Sequence, residues 1–363
     1  MPRKRILLTL ADLDAGGAER VVLTLLRHLS RDEFDLHLAL VRKRGRFLSD
    51  VPSDIPLYDL AARRVRHAGP AIVSLAREIR PDVIFSTLSY MNNYLLLLRS
   101  FIPRRTRIIV REATTVSSAI NTWKMSWVWP LLFRILYRFA DCIICQCKHM
   151  GDDLVENFHV PRGKIATVYN PVDVDRVRTL ADQGEAPFNE YGQGPHLVAA
   201  GRLSHVKGFD LLISAFPALL ETHPEAHLWI LGEDTSTDGR LGRDLLTLCQ
   251  RLNVDDRVHF TGFKANPYPY FKHADLFVLS SRYDGFPNVL LEAMACGCPT
   301  LALDCPGGTR EIMELTGNRD RLRKELDWDR SWFRGEGDRH GDDLSRFDLD
   351  VIVRRYGDLL REV

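Results

Sequence analysis

The sequence predicts an α/β protein of two doubly wound domains, and three observations carry that expectation. Short apolar runs alternate with longer segments of helical period, the pattern of a parallel sheet covered on both faces. The alternation fails once, in a stretch containing Gly184, Pro187, Gly192, Gly194 and Pro195, and then restarts. At 363 residues the chain suits two domains of about 150–200 residues, each able to bury a core.

In the first half, strands are expected near 5–10, 35–41, 82–86, 106–110, 141–146 and 165–168. Helices are expected near 17–29 and 70–78, with others between the later strands. In the second half, strands near 196–200, 227–231, 258–261, 275–279 and 299–303 alternate with helices near 208–221, 240–252 and 288–296. This reading places a Rossmann-like domain at 1–178, a linker at 179–195, and a second Rossmann-like domain at 196–345. The amphipathic stretch 346–363 is expected to form a terminal helix docked on the first domain. Two such domains facing one another leave a cleft at the carboxyl ends of their strands, where open α/β sheets bind ligands.

Composition narrows the class. Hydrophobic residues at 45% and charged residues at 27% fit a soluble globular protein and exclude a fibrous or disordered one. The apolar run Ile6–Leu10 after Arg3-Lys4-Arg5 is too short for a signal segment and reads as the first strand. The best candidate for a membrane span, Trp127 to Tyr137, is interrupted by Pro130 and Arg134. Seven cysteines, an odd number, argue against a disulfide framework and for a reducing, cytoplasmic compartment. Cys142, Cys145 and Cys147 lack a second ligand pair at zinc-like spacing and read as small core residues. The net charge of +1 conceals an asymmetry: residues 1–150 hold 24 Lys/Arg against 13 Asp/Glu, and residues 151–363 hold 25 against 35. The basic half points to an anionic partner such as a phospholipid surface or a lipid diphosphate. Nucleic acid is excluded as the partner because no binding module accompanies the charge.

Three segments carry chemistry. The turn Leu13-Asp14-Ala15-Gly16-Gly17-Ala18-Glu19-Arg20 sets paired glycines before a helix, where the backbone can approach a phosphate; a plain tight turn explains it as well. Gly201-Arg202-Leu203 follows a strand and Lys207-Gly208 opens the next helix, so two cations bracket one loop. Arg202 can grip a diphosphate bidentately and Lys207 as a point charge, the alternative being a solvated loop with unrelated cations. The longest segment runs from Tyr283 to Gly297 and carries Asp284 and Glu292 on either side of a turn into a helix. Free N–H groups after Gly285 can bond sugar hydroxyls or phosphate, and Glu292 can accept from the two hydroxyls of a ribose.

Together these segments resemble the retaining glycosyltransferase family 4, of the GT-B fold. The resemblance covers nearly the whole chain, down to Asn170-Pro171-Val172-Asp173. It implies that Arg202 and Lys207 neutralise the donor diphosphate, with Asp284 as the third catalytic residue. Glu292 would hold the ribose, and Asp284 with the backbone of Gly285, Phe286, Pro287 and Asn288 would orient the transferred sugar. Gly201 and Val289 complete that donor-binding set, and Gly17 would donate its N–H near the distal phosphate. The implied reaction moves a hexose or N-acetylhexosamine from a nucleotide-sugar, UDP favoured, to a saccharide acceptor linked to a polyprenyl diphosphate. Cell-surface glycan assembly on the inner face of the plasma membrane would be its setting, with the protein peripheral on that surface. No cofactor and no metal are expected: side-chain cations and helix termini stabilise the departing diphosphate. The triplets Asp12/Asp14, Asp173/Asp175 and Asp348/Asp350 are not placed to hold a metal against it.

The chain departs from the family at three places. Asp284 stands where the family has Glu. The run Val110-Arg111-Glu112-Ala113-Thr114-Thr115 lacks the histidine of many members, which leaves Arg111, Glu112 and Thr114 as acceptor-side candidates. After Ile312 a charged segment replaces the Gly-x-Leu-Val-x-Pro strand that helps to seal the nucleotide pocket. These departures motivate an alternative, a sugar-nucleotide-binding subunit without turnover. The segment Trp123 to Arg134 reads either as a helix lying in a membrane interface or as one packed into the first domain's core. A nicotinamide-dependent dehydrogenase is excluded by the missing glycine fingerprint.

Overall fold

The computed structural model describes residues 3–14, 16–120, 127–184, 186–192, 194–234, 236, 238–329, 332–333 and 341–363. The chain forms two compact units, Met1–Pro171 with Asp350–Val363, and Val172–Leu349.

The first unit contains β1 (Lys4–Leu10), α1 (Gly17–His28), β2 (Phe34–Leu40), β3 (Leu57–Asp59), α2 (Gly69–Ile79) and β4 (Val83–Thr87). It continues with α3 (Ser89–Leu97), β5 (Arg107–Arg111), α4 (Val116–Ile120), α5 (Trp129–Leu136), β6 (Cys142–Cys145), α6 (Lys148–Phe158) and β7 (Ile165–Thr167). The strands form one parallel sheet in the order β3-β2-β1-β4-β5-β6-β7. Ile6, Leu7, Leu8 and Leu10 are all buried, as a strand covered on both faces requires. In register, Leu8 lies beside Leu38 of β2 and Phe85 of β4. α1 lays Val21, Val22, Leu25 and Leu26 on this sheet, and its Glu19 and its Arg27 and His28 stand at the ends the helix dipole favours.

In the second unit α7 (Val174–Ala181) precedes β8 (His196–Ala200), α8 (Phe209–Leu220), β9 (His227–Leu231), α9 (Arg240–Arg251) and β10 (Val258–Gly262). Then follow α10 (Tyr268–His273), β11 (Leu276–Leu279), α11 (Asn288–Ala295), β12 (Thr300–Leu303), α12 (Thr309–Leu315) and β13 (Leu322–Arg323). These strands form a second parallel sheet, β10-β9-β8-β11-β12-β13. The core packs Phe209, Leu212, Ile213 and Phe216 of α8 against Leu197, Leu228 and Ile230.

The units divide elsewhere than at 178/179 and 345/346. α7 goes with the second unit because the Arg178 guanidinium donates to the Ala295 carbonyl (3.1 Å) and Asn266 to that of Leu180 (2.8 Å). Nor is 179–195 a detached linker. Phe188 is buried, with its ring stacked 4.4 Å from that of His196, and Tyr191 meets Trp229 edge-on at 4.7 Å. The chain returns to the first unit as α13 (Leu349–Glu362), whose Ile352, Tyr356, Leu359 and Leu360 join the core of β1, β2 and α1. Each such burial contributes roughly 1.5–3 kcal/mol, so α13 is an integral element of that unit.

The segment after Ile312 returns to the sheet. β13 pairs with β12 through Leu322 beside Ala302 and Arg323 beside Leu303. Two residues of strand are backed by aromatics: Trp328 Nε1 donates to the Ala215 carbonyl (2.8 Å), and the buried Arg321 donates to that of Trp332 (3.1 Å). Arg323 lies over the Trp332 ring, 4.8 Å from its centroid. The wall is thus rebuilt from a short edge strand and indole rings.

Candidate active site

The second sheet reverses its winding between β8 and β11, and at such a switch point the loops diverge and leave a crevice at the carboxyl ends of the strands. Three loops meet there. The one after β8 carries Gly201 and Arg202, and its single turn His205–Lys207 ends at Gly208, which has φ +63°. A Cβ at Gly208 would overlap the Ser280 carbonyl, so only glycine lets this loop close on the one after β11. That closure is fixed by hydrogen bonds: Ser280 Oγ donates to the Lys207 carbonyl (2.9 Å), and the Arg282 N–H to that of Val206 (2.8 Å). The Arg282 guanidinium donates to the His205 carbonyl (2.8 Å) and, as a fork, to both oxygens of Asp210 (2.7 and 2.6 Å). These bonds hold the Asp210 carboxyl below its ordinary pKa.

Within this clamp the Lys207 ammonium sits 2.5 Å from Asp284 Oδ2, both side chains largely buried. Ser281 Oγ lies 3.4 Å from the same oxygen. The backbone at Asp284 is tied to the third loop, after β12: its N–H donates to the Pro306 carbonyl (3.0 Å), and the Gly308 N–H to its own carbonyl (3.1 Å). Gly307, with φ +123°, is required there because a Cβ would overlap the Asp284 carbonyl. One carboxylate thus orients Lys207 and leaves two of its three ammonium donors for other acceptors.

Arg202 is exposed and makes no hydrogen bond or ion pair with the described residues. Beyond Asp284, Gly285 and Pro287 are buried, and Phe286 packs its ring 5.9 Å from that of Phe347, which fixes the turn into α11. Asn288 opens the helix, and Val289 and Glu292 follow within its first turns, all three half-buried. Two cations, the amino end of α11 and Glu292 therefore occupy one end of one sheet. The cations can neutralise a diphosphate and the carboxylate can accept from vicinal hydroxyls. Sequence reasoning passed over Arg282 and Ser280, although Arg282 stands two positions before Asp284; nothing in its neighbours announces that Asp210 lies opposite.

The remaining expected residues belong to the first unit. Gly17 is the first residue of α1, just past the carboxyl end of β1; Ala15 of the same turn lies outside the described residues. Thr114 is half-buried after β5. Arg111 and Glu112 are corrected from acceptor-side candidates, since both are wholly buried. Arg111 donates to Tyr356 Oη (3.0 Å), Thr87 Oγ1 (3.1 Å) and Asn170 Oδ1 (2.6 Å), which ties α13 and the end of the unit to β5. Glu112 accepts from Ser89 Oγ (2.5 Å), Asn92 Nδ2 (2.8 Å) and the Tyr137 hydroxyl. Burial raises its pKa against the pull of those donors. Successive residues of a strand face opposite sides, and here both sides are covered by helices.

Comparison with known proteins adds to this geometry. Residues 15–176 match the model of Glycosyltransferase Family 4, and residues 194–327 that of Glycosyl transferases group 1. An N-acetylgalactosamine-N,N'-diacetylbacillosaminyl-diphospho-undecaprenol 4-alpha-N-acetylgalactosaminyltransferase of Campylobacter jejuni is 32% identical, over 89% of this chain and 86% of that one. The chain belongs to the family 4 glycosyltransferases. This glycosyltransferase is also 29% identical to the lipopolysaccharide core biosynthesis glycosyltransferase LpsE of Rhizobium meliloti, over 80% of this chain and 77% of the relative. The crystal structure of Anabaena Alr3699/HepE in complex with UDP and glucose superposes with TM-score 0.81 at 18% identity, over 99% of this chain and all of that one. Sucrose-phosphate synthase from Thermosynechococcus elongatus does so with TM-score 0.76, 18% identity and 99% coverage of both chains. The fold is that of the GT-B glycosyltransferases. No helix among the described residues is long and apolar enough to cross a membrane.

Proposed function

We propose that this glycosyltransferase moves a hexose or N-acetylhexosamine from a UDP-sugar to a saccharide carried on a polyprenyl diphosphate, with retention of configuration and without a metal. The observation that carries the reading is the three-loop clamp at the β8/β11 switch point, which orients Lys207 through Asp284 on the loop that also carries Arg202, a residue without an ion pair among the described residues. Cations fixed before the reaction stabilise the charge that develops on a departing nucleoside diphosphate. Glu292 holds the ribose, and the turn from Asp284 through Asn288 orients the sugar. The diphospho-undecaprenol acceptor of the Campylobacter relative supports a lipid-linked acceptor here. The donor phosphate itself takes the acceptor's proton in a front-face displacement, so no protein nucleophile is assigned.

The same reading places the protein peripherally on an anionic bilayer, at the inner face of the plasma membrane. Supporting it, Trp127 in the turn before α5, Leu131 and Ile135 on α5 and Phe139 in the turn after it recur every fourth residue, and all are exposed. The rest of the tryptophan segment, 123–126, lies outside the described residues.

The donor reading is tested by thermal shift against UDP-, GDP- and ADP-sugars, with and without Mg²⁺. A UDP-sugar at a hundred times its Kd adds about 2.7 kcal/mol to the stability of the unit that binds it. The shift appears without Mg²⁺ and is lost in Glu292→Ala; equal shifts in wild type and variant would remove Glu292 from the donor site. A second reading, a sugar-nucleotide-binding subunit without turnover, rests on the shorter Asp284 in place of the family's Glu. Donor hydrolysis by the wild type that disappears in Arg202→Ala excludes it.

A further inference from the structure

We propose that the loops after β2 and β3 form a second anion site, one that holds the diphosphate of the lipid-linked acceptor; this rests on the acceptor reading above. Two basic runs follow adjacent strands, Arg42-Lys43-Arg44-Gly45-Arg46 after β2 and Arg63-Arg64-Val65-Arg66-His67 after β3. Pairing continues beyond the strands themselves: the Leu60 N–H donates to the Leu40 carbonyl (2.8 Å) and the Ala62 N–H to that of Val41 (3.0 Å). The two runs therefore leave the sheet side by side, at its carboxyl edge. Lys43, Arg44, Arg46, Arg63, Arg64 and Arg66 are all exposed.

Two carboxylates in contact with these runs are already engaged. Asp12 accepts from Arg42 (2.6 Å) and Arg44 (3.4 Å). Asp59 Oδ1 accepts the backbone N–H groups of Ala61 (2.9 Å) and Lys43 (3.3 Å). The side chains of Lys43, Arg63 and Arg64 make no ion pair or hydrogen bond with the described residues. The loops are also held in place and do not splay apart to relieve their repulsion. Gly45, at φ +125°, packs on the Leu13 backbone; the Leu13 N–H donates to the Arg44 carbonyl (2.9 Å), and the Phe47 N–H returns to that of Leu13 (3.0 Å). Tyr94 Oη donates to the Arg66 carbonyl (2.7 Å).

Unpaired cations fixed close together repel one another, and a multivalent anion that bridges them removes the repulsion. Guanidinium forks match phosphate oxygens in pairs, and a diphosphate offers two phosphate groups to two adjacent runs. Bilayer headgroups carry the same phosphate chemistry, so the test must separate the two sources.

Inorganic pyrophosphate and orthophosphate are titrated calorimetrically into the wild type, the K43A/R63A/R64A variant and Arg202→Ala, at one ionic strength. Flotation with phosphatidylcholine vesicles containing phosphatidylglycerol is run beside them. The wild type is expected to bind pyrophosphate more tightly than orthophosphate, and the triple variant to lose at least tenfold of that affinity. Its shift with UDP-sugar stays at the wild-type value, whereas Arg202→Ala loses that shift and keeps the pyrophosphate site of the first unit. Failure of the donor reading thus shows in the UDP-sugar arm and failure of this proposal in the pyrophosphate arm. Because all three side chains are exposed, the melting temperature of the triple variant confirms its fold, and R63K/R64K, which keeps the charge, retains part of the affinity. Unchanged pyrophosphate binding in the triple variant overturns the proposal. So does loss of vesicle flotation alone, which would make the loops readers of bilayer headgroups.

Discussion

At the scale of single residues, the two cations beside the switch point are held differently, and that difference predicts different costs. Lys207 is largely buried against Asp284, whereas Arg202 projects from the same loop without a partner among the described residues. Lys207→Ala leaves Asp284, its side chain only 15% exposed, without its counter-ion, so it lowers both turnover and melting temperature. Arg202→Ala removes a side chain that makes no hydrogen bond or ion pair with the described residues and lowers turnover alone. Each should cost about 10²–10³ in kcat, the measured worth of one preorganised donor to a developing charge. Kinetics and thermal denaturation of both variants check this; a Lys207→Ala enzyme of full activity would remove that residue from the mechanism. Arg202, Lys207 and Asp284 could be picked out in the sequence because loop residues of fixed type at fixed spacing carry local information. Arg111 and Glu112 were misread because a polar residue at a strand's end looks the same whether it meets solvent or a buried partner. The partners of Arg111 are Thr87, Asn170 and Tyr356, and no local pattern announces a contact with a residue so far along the chain.

At the scale of elements, α5 divides its surface in an unusual way. Phe133 and Leu136 are buried, and Leu131 and Ile135 are exposed on the same short helix, with exposed Arg134 and Arg138 between the apolar positions. No Asp or Glu occurs between Glu112 and Asp141. An apolar face interleaved with cations and free of acids suits the headgroup boundary of an anionic bilayer. Leu131→Ser/Ile135→Ser is therefore expected to stop flotation with phosphatidylglycerol vesicles while leaving the fold and the UDP-sugar shift intact, since neither side chain is buried. Undiminished flotation would assign the stripe to another role. Of the two readings open in the sequence, packing into the core holds for Phe133 and Leu136, and the flotation experiment decides the other for the exposed face. Long strands and helices could be placed from periodicity to within a residue or two. β13, two residues long, could not, because a period needs several repeats to register, and β3 was missed although β7, equally short, was placed as an apolar run. The aromatic backing of β13 escaped for a related reason: Trp328 and Trp332 lie in a charged stretch, and only the edge of the sheet gathers them.

At the scale of the whole molecule, the buried groups that couple folding to acid differ between the two units. Along the amino ends of β8, β9 and β10, His196, His227 and His259 stack on one another, with His227 Nδ1 2.9 Å from His259 Nε2 and Trp229 4.2 Å from the His259 ring. Burial, and then the neighbouring imidazoles, push His259 down to about 4; burial lowers His196, and burial followed by the Arg257 guanidinium lowers His227. The facing charges from adjacent elements are Arg257, Asp256, Glu225 and Asp275, and the carboxylates offset only part of the shift. A histidine whose folded pKa lies below its unfolded value of 6.5 costs stability as the unfolded chain takes up the proton first. Stability of the second unit should therefore fall from about pH 6.5 to about pH 4 and level off below. In the first unit the buried Glu112 has a raised pKa, so the folded state takes up its proton first, and acid stabilises that unit through this group. Calorimetric scans between pH 7 and 5 are expected to move the transition of the second unit down more than that of the first. His259→Phe, which keeps a ring in the stack without a titrating nitrogen, should flatten that dependence. Parallel shifts of both transitions in wild type and variant alike would mean that the histidine stack does not govern the acid response, and that the excess of carboxylates in residues 151–363 does.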